Sequence, residues 1–207
     1  VGSYYGELLS DASKDGRIGK VPWAPQVPVT VAFDLGMSDA TSMWFAQRVG
    51  REIRLIDYYE NSGHGLEHYA KVIRDKPYII EDVLAPHDAK VRELGTGKSR
   101  LETALSLGLR MRVVPKLSLE DGIQATRLLL RNVWINEKNC GRGLQALREY
   151  IKAPIENERG PGGEMLYRDR PKHNWASHGA DALRTLAVGM APERMGEIKQ
   201  PDTRYIV

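Results

Sequence analysis

Three aspartates spread along the chain have carboxylate side chains, which hard metal ions prefer as ligands. Asp34 lies in V-A-F-D-L-G, Asp88 in A-P-H-D-A and Asp181 in S-H-G-A-D-A-L-R. The first two each follow an apolar run, and the third falls within a segment of helical periodicity. Because a buried ionised carboxylate is costly unless it is paired or bound to a cation, three converging carboxylates would favour a divalent metal. Each aspartate alone is more typical of a surface or capping position, but their joint context favours a metal site.

The composition indicates one compact α/β domain. The chain has 207 residues, of which 42% are hydrophobic and 28% charged. Its 30 basic and 27 acidic residues give a net charge of only +3, so any affinity for nucleic acid must come from local patches. The single cysteine, Cys140, excludes an internal disulfide framework and a cysteine-based zinc site, and we expect it to be a small helix residue without a chemical task.

The chain carries no pattern for a membrane span or a secretion signal, which predicts a cytosolic protein without a membrane partner. It starts with Val1 and opens on a polar stretch, so we expect it to be cut from a longer protein. The Pro-rich stretch that ends near residue 28 reads as a linker after a short helix. We therefore predict a linker over 1–28, a domain over 29–191 and a loose tail over 192–207.

Hydrophobic periodicity predicts strands and helices in a definite order. Three antiparallel strands come first, over 29–34, 41–49 and 52–59. Further strands are predicted over 78–84 and 111–114, and helices over 66–75, 99–107, 118–131, 141–151 and 177–190. The glycine-rich residues 160–163 must form a loop and could be the tip of a hairpin. This order is the ribonuclease H-like layout, a mixed α/β sheet of three antiparallel and then parallel strands flanked by helices.

Three motifs in this order resemble the C-terminal nuclease domain of the large terminase subunit of tailed bacteriophages. They are D-L-G-M-S-D-A, then L-A-P-H-D-A followed by G-T-G-K-S-R, and finally H-N-W-A-S-H-G-A-D-A-L-R. The resemblance runs from about residue 29 to residue 190, and the order of the motifs is more specific than any one of them. It implies an endonuclease that cuts concatemeric viral double-stranded DNA in the host cytoplasm. It also implies three partners: an ATPase domain in the same full-length chain, the small terminase subunit and the portal.

Phosphodiester hydrolysis by such a domain uses two Mg²⁺ or Mn²⁺ ions about 4 Å apart. Asp34, on a rigid strand, is the natural ligand to bridge both ions. The resemblance implies that Asp88 completes one site and Asp181 the other, and oxygen-only ligation suits magnesium or manganese rather than zinc. Asp39 follows across a turn and either supports the site indirectly, through a metal ligand or a water molecule, or has a plain turn role. His178, one helical turn before Asp181, either orients a carboxylate, contacts phosphate or shuttles a proton, or is a packing histidine.

Two basic groups flank the aspartates. The first surrounds Gly95 and Gly97 and the second precedes the last helix; both either contact the DNA backbone or form an ordinary solvated surface. The residues expected to contact DNA are Lys90, Arg92, Lys98, Arg100, Arg170 and Lys172. His87 adjoins Asp88, and we expect it to have a structural role because neighbours on a strand point in opposite directions.

Two other motifs are rejected. G-T-G-K-S at 95–99 lacks the earlier glycine of a phosphate-binding loop, since that position is Arg92. H-G-L-E-H at 64–68 matches an inverted zinc-protease motif, but its glycines predict a helix start between the two histidines.

Three other functional classes remain as alternatives. A resolvase or transposase would use similar acids on branched DNA or transposon ends. A sugar-kinase or actin-like ATPase would need a duplicated second half, for which the chain has neither the length nor a repeated motif. A non-catalytic module that docks on DNA or on a motor would retain the acids without using them.

Overall fold

The described residues build a seven-stranded mixed sheet with helices on both faces and a separate two-stranded sheet. The computed structural model describes residues 2–36, 40–92 and 97–190. In chain order, its elements are α1 (Gly6–Lys14), β1 (Ile18–Gly19), β2 (Val29–Asp34), β3 (Thr41–Val49), β4 (Glu52–Asn61), α2 (Leu66–Asp75), β5 (Ile80–Ala85), a 3-10 turn (His87–Lys90), α3 (Arg100–Ser106), β6 (Arg112–Val113), α4 (Leu119–Leu130), β7 (Val133–Asn136), α5 (Glu137–Glu149), β8 (Lys152–Arg159), β9 (Met165–Pro171) and α6 (Trp175–Met190).

The predicted antiparallel strands β2, β3 and β4 form the centre of the sheet. Over the described residues the strand order is β1-β7-β4-β3-β2-β5-β6, with β5 parallel to β2 and β7 parallel to β4. The strand β3 is buried continuously from Thr41 to Gln47, as expected where helices cover both faces of a sheet. The predicted fold class, a ribonuclease H-like mixed α/β sheet, is confirmed.

Alternate residues of β2 face different layers of helices. Val31 and Phe33 pack in the core beneath α2 and α3, whereas Ala32 packs in the core beneath α1, α4, α5 and α6. Because successive strand residues point to opposite faces, Asp34 shares the face of Ala32. The last strand residue therefore presents its carboxylate on the side that α6 covers.

The C-terminal half differs from its prediction in three places. A helix was expected over 141–151, but α5 begins at Glu137 because Asn136 caps it, accepting a hydrogen bond from the Asn139 amide at 2.9 Å. The strand β7 before it was not predicted. The glycine-rich loop at 160–163 connects β8 and β9, so the suggested hairpin is present and its two strands were missed.

Much of the segment 2–28, predicted as a linker, packs on the domain. The helix α1 buries Leu9 and Ala12 in the shared core, and β1 adds a parallel strand next to β7. Arg17 Nη1 donates to the carbonyl oxygens of Leu130 and Val133 at 3.2 and 3.0 Å. The connection from this segment to an ATPase domain stays a prediction, and the predicted tail from residue 192 lies outside the described residues.

Across the described ranges, no helix combines the length and the apolar character needed to cross a membrane.

Candidate active site

The three aspartates line one cavity of about 310 Å³ at the carboxyl end of β2. Asp34 reaches it from the end of β2, Asp88 from the 3-10 turn after β5, and Asp181 from α6. Arg184 on α6 and His87 also line it. The fold therefore brings together on one surface three carboxylates that are far apart in the sequence.

Asp34 is held by the last helix as well as by its own strand. Its Oδ2 lies 3.0 Å from Nδ1 of His178, and the Asp34 side chain is 22% exposed. His178 belongs to the first turns of α6 and is itself mostly buried. A carboxylate oriented by a histidine in this way has a fixed direction toward the cavity.

Asp181 lies beside the guanidinium of Arg184. Its Oδ1 is buried and accepts no hydrogen bond among the described residues, although Arg184 Nη1 lies 3.0 Å away in an ion pair. Burial raises the pKa of Asp181 to about 6; the Arg184 charge lowers this pKa, and the nearby Asp34 charge raises it further. The fold therefore holds a carboxylate whose ionised form lacks full compensation.

The start of α6 is fixed on β3 by two hydrogen bonds. Ser42 Oγ donates to the His178 carbonyl at 2.8 Å, and Trp44 Nε1 donates to the Gly179 carbonyl at 2.8 Å. A Cβ on Gly179 would come within 2.9 Å of both Ala146 Cβ and Tyr58 Oη. Glycine thus lets the helix approach β3 and α5 closely enough to place His178 and Asp181.

We expect Gly179→Ala to destabilise the fold by about 1 to 3 kcal/mol, because the added methyl group overpacks this contact. Gly141→Ala on α5 is the matched control, since its Cβ would have no heavy atom within 4 Å. That control should stabilise the chain slightly through helix propensity. Urea unfolding of both variants measures the difference, and equal stability of the two would contradict the close approach.

Asp88 was predicted to lie at the end of the fourth predicted strand, which corresponds to β5. It lies three residues beyond β5, in the 3-10 turn. The turn also changes what is expected of its neighbour His87. His87 and Asp88 line the same cavity, because successive residues of a turn do not alternate between faces as strand residues do. The argument from strand alternation therefore does not apply to His87, and its structural role stays a prediction.

Arg184 lies three residues after Asp181 on α6 and was not among the predicted site residues. A Cβ on Gly122 of α4 would overlap the Arg184 side chain, so this glycine leaves room for the guanidinium to reach Asp181. The i to i+3 spacing of an acid and a base was the only local signal for the pair.

No protein-family model matches the chain, and no curated protein does. Solved structures do match. The SPP1 large terminase nuclease domain with bound Mn aligns at 16% identity and a TM-score of 0.57, over 81% of this chain and 92% of that domain. The large terminase nuclease from thermophilic phage G20c with bound magnesium aligns at 15% identity and a TM-score of 0.56. The alignment covers 92% of this chain and 98% of that nuclease. The large terminase of another thermophilic bacteriophage, in complex with ATP-gamma-S, aligns at 16% identity and a TM-score of 0.64. The alignment covers 90% of this chain and 45% of that terminase.

The chain has the fold of a large terminase nuclease domain. It spans less than half the length of the ATP-gamma-S-bound terminase that it matches. The terminase nuclease fold thus accounts for the sheet order.

The residues of the cavity fit a divalent metal by type and by electrostatics. All three acids offer carboxylate oxygens, and the buried Asp181 Oδ1 has the Arg184 ion pair but no hydrogen bond within the described part of the chain. Across the described residues, however, no three His, Cys, Asp or Glu side chains stand close enough to hold one ion together. Magnesium commonly takes only one or two carboxylates and completes its shell with water and substrate phosphate, so it does not require three protein ligands on one ion.

Most of the basic residues predicted to contact DNA are exposed. Lys90, Arg92 and Lys98 are exposed near the 3-10 turn, and Arg92 lies 3.7 Å from Glu102 in an ion pair. Arg170 and His173 line a second, smaller cavity that also touches Asp181 and Arg184. Lys172 is exposed before α6, and Asp39 lies outside the described residues.

Arg100 is buried at the start of α3 rather than exposed in a basic loop. The rejection of a protease motif at 64–68 is consistent with the structure, because α2 begins at Leu66, after His64. His64 and His68 are therefore not on one continuous helix.

We expect His178→Ala to weaken Mn²⁺ binding at the cavity roughly 10- to 100-fold, because Asp34 loses the partner that orients it. His178→Asn, whose amide can still donate toward Asp34, should recover part of the affinity. Isothermal titration with Mn²⁺ measures the affinity of each variant. A wild-type Mn²⁺ affinity in His178→Ala would show that the histidine only packs.

Proposed function

We propose that the chain is a metal-dependent DNA endonuclease that cuts concatemeric viral double-stranded DNA during genome packaging. One observation carries the proposal: Asp34, Asp88 and Asp181 line a single cavity in a fold shared with terminase nucleases. Two of those related structures contain Mn or magnesium. The proposed reaction is hydrolysis of a phosphodiester with two divalent ions.

The role of each residue follows from its place in the cavity. Asp34, fixed by β2 and His178, would contribute to both ion sites, with Asp88 at one and Asp181 at the other. When bound, the ions supply a nucleophilic water near neutral pH and stabilise the charge on the leaving oxygen. Arg184 keeps a positive charge beside Asp181 and so favours the ionised carboxylate that a cation requires.

The basic residues near the cavity support DNA binding without sequence preference. Lys90, Arg92 and Lys98 are exposed beside the turn that carries Asp88, and Arg170 lies beside Asp181. Lysine and arginine at such positions contact phosphates, which position a duplex but carry no sequence information. We therefore propose that the choice of cutting site comes from partners rather than from this domain.

The proposed partners are an ATPase domain in the same full-length chain, the small terminase subunit and the portal, acting in the host cytoplasm. The match to less than half of a terminase that was solved with a nucleotide analogue supports the first of these. The portal and the small subunit follow from the packaging role alone.

A comparison of DNA substrates tests the proposed class of enzyme. In Mn²⁺, the chain should convert supercoiled plasmid to nicked and then linear DNA, because an endonuclease needs no free end. Cleavage of linear duplex should be spread over many positions. Selective cutting of a four-way junction would instead favour a resolvase. Binding of duplex without cleavage of any substrate, by this chain and by its full-length parent, would favour a docking module.

A further inference from the structure

A second cavity adjoins the three-aspartate cavity at α6 and the start of α4. It has a volume of about 280 Å³, and the two cavities share Leu119, Asp181 and Arg184. Asp34 and Asp88 line the first cavity but not the second. The other described residues that line the second are Tyr150, Arg170, Pro171, His173 and Ser177. A chain molecule bound at the aspartates can therefore continue into this second space, which we call the Arg170 cavity.

Arg170 provides the charge that this cavity offers to a ligand. The residue is exposed near the end of β9 and lines the cavity. Within the described part of the chain, its guanidinium makes no ion pair and no hydrogen bond. The adjacent acid, Asp169, is already paired with Lys152 Nζ at 2.8 Å. Because a guanidinium can bind a phosphate through two parallel N–H···O bonds, Arg170 is available to an anion of this kind.

The other charges of the cavity offset each other. Arg184 Nη1 lies 3.0 Å from Asp181 Oδ1, and Arg184 also interacts with Tyr150. Asp181 is the one acid among the described residues that line the cavity. Because its charge is matched by that of Arg184, Arg170 sets the sign of the potential in the cavity. A divalent ion bound at Asp181 would make this potential still more favourable to an anion.

The walls of the cavity are held in place by packing and by backbone hydrogen bonds. Tyr150 is only 2% exposed, and its ring stacks on Tyr5 at a centroid distance of 5.6 Å. Burial raises the pKa of Tyr150, so its hydroxyl stays protonated and can donate. The Lys172 amide donates to the Ile151 carbonyl at 2.9 Å, at the base of the β8–β9 hairpin. Arg170 therefore belongs to the fixed base of the hairpin rather than to its tip.

We propose that the Arg170 cavity binds the backbone phosphate next to the one that is cut. The inference deepens the proposed function and rests on it. A DNA strand whose scissile phosphate lies among the three aspartates reaches the Arg170 cavity by passing Asp181, since both cavities share this residue. A second phosphate held by Arg170 fixes the position and direction of the strand at the metal site, which favours a productive geometry.

Replacement of single phosphates by neutral methylphosphonates tests this contact. A short labelled duplex carries one such group, and cutting by Mn²⁺-loaded protein is mapped at every bond. With the wild type, the neutral group should reduce cutting about tenfold at the adjacent bond on one side, because one charge-assisted contact is lost. In Arg170→Ala the contact is already missing. Cutting at that bond should therefore be lower on unmodified DNA and should not fall further with the methylphosphonate.

Arg168→Ala is the matched control for this substitution. Arg168 is also an exposed arginine of β9, two residues before Arg170, but it is not among the described residues that line the cavity. Arg168→Ala should keep the wild-type pattern of interference by methylphosphonate. Arg170→Lys should keep part of it, because lysine retains the charge without the planar pair of donors.

Duplex affinity in EDTA gives a readout that does not depend on cleavage. Arg170→Ala should weaken binding about tenfold and reduce the slope of log affinity against log salt by about one, as loss of one phosphate contact predicts. Inorganic phosphate at millimolar concentration should compete only weakly with the duplex. A free anion has only the Arg170 contact, whereas a backbone phosphate is already held near the cavity by the rest of the strand.

Three results would overturn the proposal. One is the same methylphosphonate interference in the wild type and in Arg170→Ala, which would leave the proposed nuclease standing and remove only the second phosphate site. Another is competition by inorganic phosphate that Arg170→Ala abolishes without changing duplex affinity, which would mean a free-anion site. The third is duplex binding without cleavage by this chain and by its full-length parent. In that case the proposed function itself fails, and no cut phosphate exists for the cavity to adjoin.

Discussion

Asp34→Asn is expected to reduce DNA cleavage by about a thousandfold while leaving the chain folded. The substitution removes the negative charge from the carboxylate that ends β2 and contacts His178, but keeps its size. Loss of one group that stabilises charge in a transition state costs rates on this scale. Single-turnover cleavage of a labelled duplex in Mn²⁺ measures the rate, and circular dichroism reports the fold.

Asp82→Asn is the matched control for this substitution. Asp82 lies on the neighbouring strand β5 and pairs with Arg112 at 2.6 Å, outside the three-aspartate cavity. Because Arg112 is half exposed, loss of this ion pair should cost little stability and no activity. Equal rates for Asp34→Asn and Asp82→Asn would remove Asp34 from the catalytic set.

Asp181→Asn is expected to abolish cleavage and to stabilise the fold at neutral pH. The pKa of Asp181 is raised to about 6 from an ordinary value of 3.8, mainly by burial, and this net shift already includes the favourable charge of Arg184. The uncharged amide resembles the protonated carboxyl group that the fold prefers. A shift of this size corresponds to roughly 3 kcal/mol. Because the side chain is 31% exposed, screening reduces the expected stabilisation to about 1 to 2 kcal/mol.

The pH dependence of this stabilisation has a definite direction. Between pH 3.8 and about 6, folded Asp181 holds a proton that the unfolded chain has lost, so the free energy of unfolding falls as pH rises through this window. The difference between Asp181→Asn and the wild type should therefore be full above about pH 6 and vanish below 3.8. Urea unfolding at about pH 4, 5, 6 and 7.5 measures it.

Divalent metal should reduce the difference in stability between Asp181→Asn and the wild type. A cation bound at the ionised Asp181 stabilises the folded wild type, so Mn²⁺ should raise its Tm more than that of the Asn variant. An Asp181→Asn variant less stable than the wild type at neutral pH without metal would contradict the strained carboxylate.

The central strands and the main helices could be predicted from the sequence because their signals are local. The apolar run that ends at Asp34 and the helical stripe that carries Asp181 lie where periodicity placed them. The start of α5 was less predictable, since Asn136 ends β7 and caps α5 with no turn residues between them. Short strands such as β1 and β7 depend on partners distant in the chain and leave little periodic signal.

The internal geometry of the site could not be predicted, because it depends on contacts between distant elements. The position of His178 on the last helix could be predicted, but only the packing of α6 on β3 brings its ring to Asp34. Arg184 reaches Asp181 because α4 carries a glycine at position 122. The burial of Arg100 likewise follows from the docking of α3 beside Leu35, although the sequence around it resembles an exposed basic loop.

The most direct test of the central claim is cleavage of supercoiled plasmid by this chain with Mg²⁺, Mn²⁺ or EDTA, beside Asp34→Asn and Asp181→Asn. We predict nicking and linearisation in a divalent metal, none in EDTA, and loss of cutting in both variants although both are folded. Cutting in EDTA, or cutting by both variants at the wild-type rate, would contradict a metal-dependent carboxylate nuclease.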